Sequence, residues 1–153
     1  MKKIIFILSI TIVLLACTST DKKSGDANSN SDSTQQAEKA KIMSDTANYT
    51  NIQWLDSTFL SMGTVNEGAQ VEVSFRFKNI GNKPLVIANV TASCGCTIPE
   101  TPQQPFAPGE EGVIKAKFDS KGRTGENRKH ISVDANTNPS RAHDLEFTVD
   151  VKK

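Results

Sequence analysis

Gln70-Val71-Glu72-Val73-Ser74-Phe75-Arg76-Phe77-Lys78 alternates polar and apolar side chains without a break. Period-two alternation places Val71, Val73, Phe75 and Phe77 on one face of a strand and Glu72, Ser74, Arg76 and Lys78 on the other. A strand of this kind belongs to a sheet with one buried and one solvated face, which is the habit of antiparallel sheets. Asn79-Ile80-Gly81-Asn82-Lys83-Pro84 follows as a turn, and Asn66-Glu67-Gly68 precedes as another.

The pattern repeats outward in both directions. Upstream, Ile52 and Trp54 mark a first strand, and Phe59-Leu60-Ser61-Met62 a second, closed by Gly63. Downstream, Leu85 to Ala92 resumes strand character. A Pro-rich loop runs from Pro99 to Pro108, with Phe106 as its one large apolar residue and the predicted pin to the core. Gly112 to Phe118 turns Ile114, Ala116 and Phe118 inward; Arg128 to Ala135 turns Ile131 and Val133 inward. Leu145, Phe147, Val149 and Val151 form the inner face of the last strand. About seven short strands separated by turns, with no convincing helix, predict an all-β fold: an immunoglobulin-like antiparallel β-sandwich. The antibody-type Cys…Trp…Cys spacing is absent.

The N-terminus has the composition of an address rather than a fold. Lys2-Lys3 is a charged start, and Ile4 to Leu15 is apolar but shorter than the roughly 20 residues that a spanning helix needs. Leu14-Leu15-Ala16-Cys17 resembles the bacterial lipobox. That resemblance implies cleavage before Cys17 and a covalent lipid on its sulfur, palmitate among the acyl chains, with Cys17 as the lipidation site. More than one acyl chain gives stable membrane attachment. Thr18, rather than Asp, follows the cysteine, which points to the outer membrane over the inner. Residues 17–48 are rich in Ser, Thr, Asp, Asn, Lys and Gln, and predict a flexible linker. As a coil it would span about 30 Å. Within it, Ala37 to Met43 has the composition for a helical turn or two, too short to stand alone. The expected division is therefore 1–16 signal peptide, 17–48 lipid anchor and linker, and 49–153 sandwich.

Charge is nearly balanced, with 18 Lys and Arg against 17 Asp and Glu. Nucleic-acid binding needs clustered positive charge, and none is visible. Ser93-Cys94-Gly95-Cys96-Thr97 carries the remaining cysteines. Outside the cytoplasm such a pair tends to oxidise. In an extended strand their Cα atoms would stand about 6.6 Å apart, at the upper edge of bridging distance, and Gly95 can shorten that. Three chemistries fit Cys94 and Cys96. They could shape a loop as a small, readily reduced disulfide or as packed thiols. They could be redox-active, although the usual two-residue spacing and helix N-terminus are lacking. They could bind a soft metal such as Cu(I), for which two thiolates suffice.

From about Phe59 to Val151 the chain resembles the bacterial domain of unknown function 1573 family. The matching segments are Phe75-Arg76-Phe77-Lys78-Asn79-Ile80-Gly81, Pro84-Leu85-Val86-Ile87, Ser93-Cys94-Gly95-Cys96-Thr97, Pro108-Gly109, and Ile114 to Phe118. Gly125, leading into a strand that ends at Asn136, completes the match. Asp150 stands where the family often has glycine. The resemblance implies an immunoglobulin-like domain akin to those of cilium-associated proteins and pilus chaperones, and implies no activity, substrate or catalytic residue.

No other constellation points to catalysis. His130 and His143 are expected to face solvent, with no nucleophile and orienting group beside either. Asp119, Asp134 and Glu100 are scattered, without calcium-loop spacing. Arg76, Lys78, Lys115 and Lys117 are expected on the wet faces of strands, and Trp54 in the core. The expectation is a lipid-anchored cell-envelope protein, facing the periplasm or the cell exterior. It is not an enzyme and needs no cofactor beyond the lipid on Cys17. Its partners are the membrane and an envelope protein or peptide, with thiol redox or copper binding at Cys94 and Cys96 as the alternative.

Overall fold

The computed structural model describes residues 30–153. The predicted signal peptide and Cys17 lie outside these residues. Two four-stranded sheets form a sandwich. The first has the order β1 (Ile52–Trp54), β3 (Gln70–Asn79), β6 (Glu111–Asp119), β5 (Thr97–Glu100). The second has the order β2 (Phe59–Asn66), β8 (Ala142–Lys152), β7 (Gly125–Ala135), β4 (Ile87–Ala92).

The predicted inner faces meet in one core. Val71, Val73, Phe75 and Phe77 of β3 and Ile114, Ala116 and Phe118 of β6 face Ile131 and Val133 of β7 and Leu145, Phe147, Val149 and Val151 of β8. Burial of each large apolar side chain contributes about 1.5–3 kcal/mol. Phe118 and Phe147 meet edge-to-face between the sheets, with ring centroids 6.1 Å apart. Phe106 packs edge-to-face on Phe77 at 4.9 Å, so it does pin its loop to the core. Leu85 and Phe106 exchange backbone hydrogen bonds at 2.8 and 2.9 Å.

Three features depart from the alternation pattern. The described residues form eight strands, because Thr97–Glu100 forms β5 within what reads as the start of a proline loop. Pro99 is tolerated there because β5 is an edge strand. The sandwich is not wholly antiparallel: β2 pairs with β8 in parallel, with a register shift between Ser61 and Thr64. The chain crosses from the first sheet to the second after Trp54. Asp56 holds that crossing, accepting from the Arg76 backbone N–H at 2.8 Å and from the Arg76 guanidinium at 2.7 Å.

The third departure is helix α1 (Asn30–Ser44), which occupies part of the segment expected to be linker. The sequence allows only a short helical turn at 37–43, and tertiary contacts supply what an isolated helix lacks. Met43 is buried, Lys39 Nζ donates to the Pro102 carbonyl at 2.9 Å, and the Tyr49 hydroxyl donates to the Met43 carbonyl. No helix among the described residues is long and apolar enough to cross a membrane.

Two buried asparagines organise the end of the sandwich nearest α1. Asn136 Oδ1 accepts from the Val86 N–H at 2.7 Å, and its Nδ2 donates to the carbonyls of Asn48 at 2.7 Å and Pro84 at 3.0 Å. Asn79 Nδ2 donates to the carbonyls of Lys83 and Phe106, while its Oδ1 accepts from the Thr50 hydroxyl and the Gly81 N–H. These side chains replace ladder partners for loop backbone that would otherwise be buried unpaired.

Candidate functional site

Ser93 to Thr97 forms the corner where the chain passes from β4 in the second sheet to β5 in the first. Both sides of the corner are anchored. The Ser93 N–H donates to the His130 carbonyl of β7 at 3.1 Å, and the Asp119 N–H of β6 donates to the Cys96 carbonyl at 2.9 Å. A turn bond from the Thr97 N–H to the Cys94 carbonyl closes the bend. Cys94 and Cys96 are joined in a disulfide with Cα atoms 5.3 Å apart, well below the extended-strand separation. Cys96 is 6% exposed and belongs to the core, Cys94 is half-buried against it, and Gly95 projects outward. The Thr97 hydroxyl lies 3.9 Å from Cys94 Sγ and 4.0 Å from Cys96 Sγ. In this bonded form the two sulfurs present no thiolate to a metal or a substrate. Among the described residues, no group of three His, Cys, Asp or Glu side chains is placed to hold a metal ion.

The two histidines differ. His130 is exposed as expected, and its Nδ1 lies 3.1 Å from Glu146 Oε1. Glu146 also receives the Arg128 guanidinium, which stacks over the Phe59 ring at 5.6 Å. His143 is not solvent-facing. It is half-buried, its Nε2 is 2.7 Å from the Thr137 hydroxyl, and its ring meets Trp54 edge-to-face at 5.9 Å. Burial holds its pKa below the usual histidine value, partly offset by Asp144. The sequence hides this, because only the fold brings Trp54 over position 143. Trp54 itself is partly buried, against Phe77.

The remaining candidates serve the surface. Arg76 pairs with Asp56, Lys78 with Glu111, Lys117 with Glu72, and Arg141 with Asp134. Asp119 caps its own loop through the Lys121 N–H. A surface hollow of about 250 Å³ on the first sheet is lined by Glu72, Glu100, Lys115 and Lys117, in which charges of both signs already face one another.

The sheet edges are less uniform than the faces. β1 is only three residues long. On β5, the Asp119-to-Cys96 bond sets the alternation so that residues 97 and 99 point their backbone away from β6. The Thr97 N–H is taken by Cys94, and Pro99 has none to offer. On β4, the Val90 N–H is capped by the Thr101 hydroxyl at 3.2 Å, and α1 lies alongside, with Met43 and Ala40 near Ala88. Among the described residues, nothing covers the outer edge of β2 in this way.

This architecture defines a small immunoglobulin-like domain with a covalently closed corner. The chain belongs to the family described as "Protein of unknown function (DUF1573)", whose model matches residues 52–151. No protein of curated function matches its sequence. Among solved structures it is similar to a protein of unknown function from Porphyromonas gingivalis W83, at 17% identity and a TM-score of 0.59. That match covers 69% of this chain and 49% of the other, so the chain spans about half the length of that protein. It is also similar to the seventh ASH/PapD-like domain of human CEP192, at 11% identity and a TM-score of 0.52, over 69% of this chain and 86% of that one. The YadV chaperone matches at 15% identity and a TM-score of 0.50, over 67% of this chain and 53% of its own. At such identities the likeness establishes the fold.

Proposed function

We propose that this protein is a non-catalytic interaction module of the bacterial cell envelope, held to the membrane by lipid on Cys17. The observation that carries the non-catalytic part is where the fold places its polar side chains. Asn79 and Asn136 are buried and hold loop backbone, and buried Thr50 donates its hydroxyl to Asn79. His143 is held by Thr137, His130 by Glu146, and the motif cysteines by each other. What remains available outside is sheet edge and surface, which is how sandwiches bind proteins. The fold shared with the YadV chaperone, itself a protein-binding class by name, supports the same reading. Membrane attachment rests on Leu14-Leu15-Ala16-Cys17. Placement in the outer membrane rests on Thr18.

Two measurements test this. Metabolic labelling with palmitate should mark the full chain and not the Cys17→Ser variant, which should leave the membrane fraction; equal labelling of both removes the anchor. Crosslinking in intact cells should join the domain to an envelope protein at stoichiometric yield, and a purely monomeric pattern removes the interaction role. A second reading, thiol exchange at Cys94–Cys96, is favoured by the bonded pair with one half-buried cysteine. Copper binding would first require its reduction. Failure of the oxidised protein to exchange with an excess of a dithiol would eliminate both.

A further inference from the structure

We infer that the outer edge of β2 is a strand-addition site for an extended peptide segment carrying a basic residue, an inference that rests on the interaction role proposed above. β2 reads Phe59-Leu60-Ser61-Met62-Gly63-Thr64-Val65-Asn66, eight residues with no charge and no proline. Long, uncharged edges are the ones that recruit another strand. The hydrogen bonds flanking β2 orient its backbone. Glu146 N–H donates to the Thr58 carbonyl and Glu67 N–H to the Lys152 carbonyl. In a parallel ladder this directs residues 60 and 65 toward β8 and leaves the N–H groups of Ser61 and Thr64 pointing outward. The other three edges are short, proline-blunted or covered.

The outer face beside this edge is chemically ordered in rows across three strands. His130, Glu146 and Phe59 share one row; Arg128, Thr148 and Ser61 the next; Glu126, Asp150 and Thr64 the third. In the first two rows the Arg128–Glu146 ion pair balances the charge. The third is not. Glu126 and Asp150 stand directly opposite each other, an arrangement of like charges that costs stability unless a cation joins it. Glu126 makes no hydrogen bond or ion pair among the described residues, and the one side-chain partner of Asp150 is the Thr64 hydroxyl at 3.4 Å. Ser61, Gly63, Thr64 and Thr148 are small, so the two carboxylates border a shallow groove of about 280 Å³ that runs to the β2 edge.

A strand added beside β2 would lie two strand spacings, about 10 Å, from Asp150. An extended lysine or arginine in the Thr64 row reaches across the short threonine to the carboxylates. At the far end Phe59, 47% exposed, offers an apolar contact. Antiparallel addition is the more stable pairing. With the extra β2 residue between Ser61 and Thr64 taken up as a bulge, as it is against β8, the segment recognised is then a basic residue, a small residue two positions on, and an apolar residue four positions on.

The test uses the full-length chain in detergent and a fluorescein-labelled decapeptide of alternating Thr and Val with Lys, Ser and Leu at those three positions. Fluorescence anisotropy should show it binding about tenfold more tightly than the same peptide with Glu for Lys. Binding should move the amide resonances of Ser61 and Thr64. Ser61→Pro, at an outward-facing N–H where an edge strand tolerates proline, should abolish it. Should that variant unfold, the surface pair Glu126→Gln, Asp150→Asn should still erase the preference for Lys over Glu. Equal binding of the two peptides, resonance shifts at β4 or β5 instead, or sedimentation of the free chain as a β2-paired dimer would each overturn the inference. If cells crosslink the Ser61→Pro protein to the same envelope partner as wild type, the interaction role survives and the β2 assignment falls.

Discussion

Reduction of Cys94–Cys96 separates a structural corner from a reactive one. The bridge closes a loop of three residues, counting both cysteines. Chain-entropy closure of a loop that size restricts the unfolded state by about 5.4 cal/mol/K, or about 1.6 kcal/mol at 25 °C. The native corner keeps its other anchors on reduction: Cys96 stays in the core, and the Asp119-to-Cys96 and Ser93-to-His130 backbone bonds do not depend on the sulfur bond. Reduction should therefore cost about 1.6 kcal/mol and lower Tm by roughly 6–13 °C for a domain near 100 residues. The Cys94→Ala, Cys96→Ala variant should lose about 1 kcal/mol more, because it also removes buried sulfur from the core. Urea unfolding followed by Trp54, the single tryptophan, measures this directly in a Cys17→Ser background, so that only the pair responds. A loss under about 0.5 kcal/mol would mean the bridge does not restrain the unfolded chain as loop closure requires. A loss above about 4 kcal/mol would mean that the bond, rather than the backbone anchors, holds the two sheets together at this corner.

Asn136→Ala should destabilise by about 3 kcal/mol, since three hydrogen bonds of a buried side chain are lost and the Val86 N–H is orphaned. Asn136→Asp keeps the acceptor for Val86 but loses both donors, and calorimetry should rank it nearly as low. Gly112→Ala would drive a methyl into Phe77 Cζ and the Phe106 ring. It should cost about 1–3 kcal/mol by overpacking and loosen the 101–108 loop to proteolysis; unchanged stability would mean the two rings shift freely. Because burial lowers the His143 pKa, the unfolded chain binds the proton more readily and native stability falls as pH drops below the ordinary histidine value of 6.5. Thermal melts at pH 7.5 and 5.5 should show that loss in the wild type and much less of it in His143→Asn; identical slopes would place the titration elsewhere.

The sandwich is legible in the chain because its cause is local. Val71 to Phe77 and Leu145 to Val151 alternate, and alternation alone sorts side chains to two faces whatever the neighbouring strand. Phe106 as a loop pin is legible for the same reason, being the one large apolar residue in a polar, proline-rich stretch. β5 is not legible, because Pro99 reads as a breaker until the strand is known to lie at an edge. Nor is α1, whose stability comes from where Met43 and Lys39 land rather than from its own composition. The parallel pairing of β2 escapes for a further reason: period-two patterns carry no direction.

For the candidate sites the division is the same. Ser93-Cys94-Gly95-Cys96-Thr97 is conspicuous by residue type, and its chemistry could be framed before any fold was known. That the two sulfurs meet, with one in the core, depends on the bend between two sheets. The third row of the outer face has no signal in the chain at all. Thr64, Glu126 and Asp150 are far apart in sequence and individually ordinary. They become a row only through the register of β2 on β8 and of β8 on β7. Residue type and spacing decided the alternating strands, the predicted anchor and the cysteine motif. Strand order, register and the direction of unpaired backbone groups, which arise only when distant segments pack, decided which edge is open and what charge stands beside it.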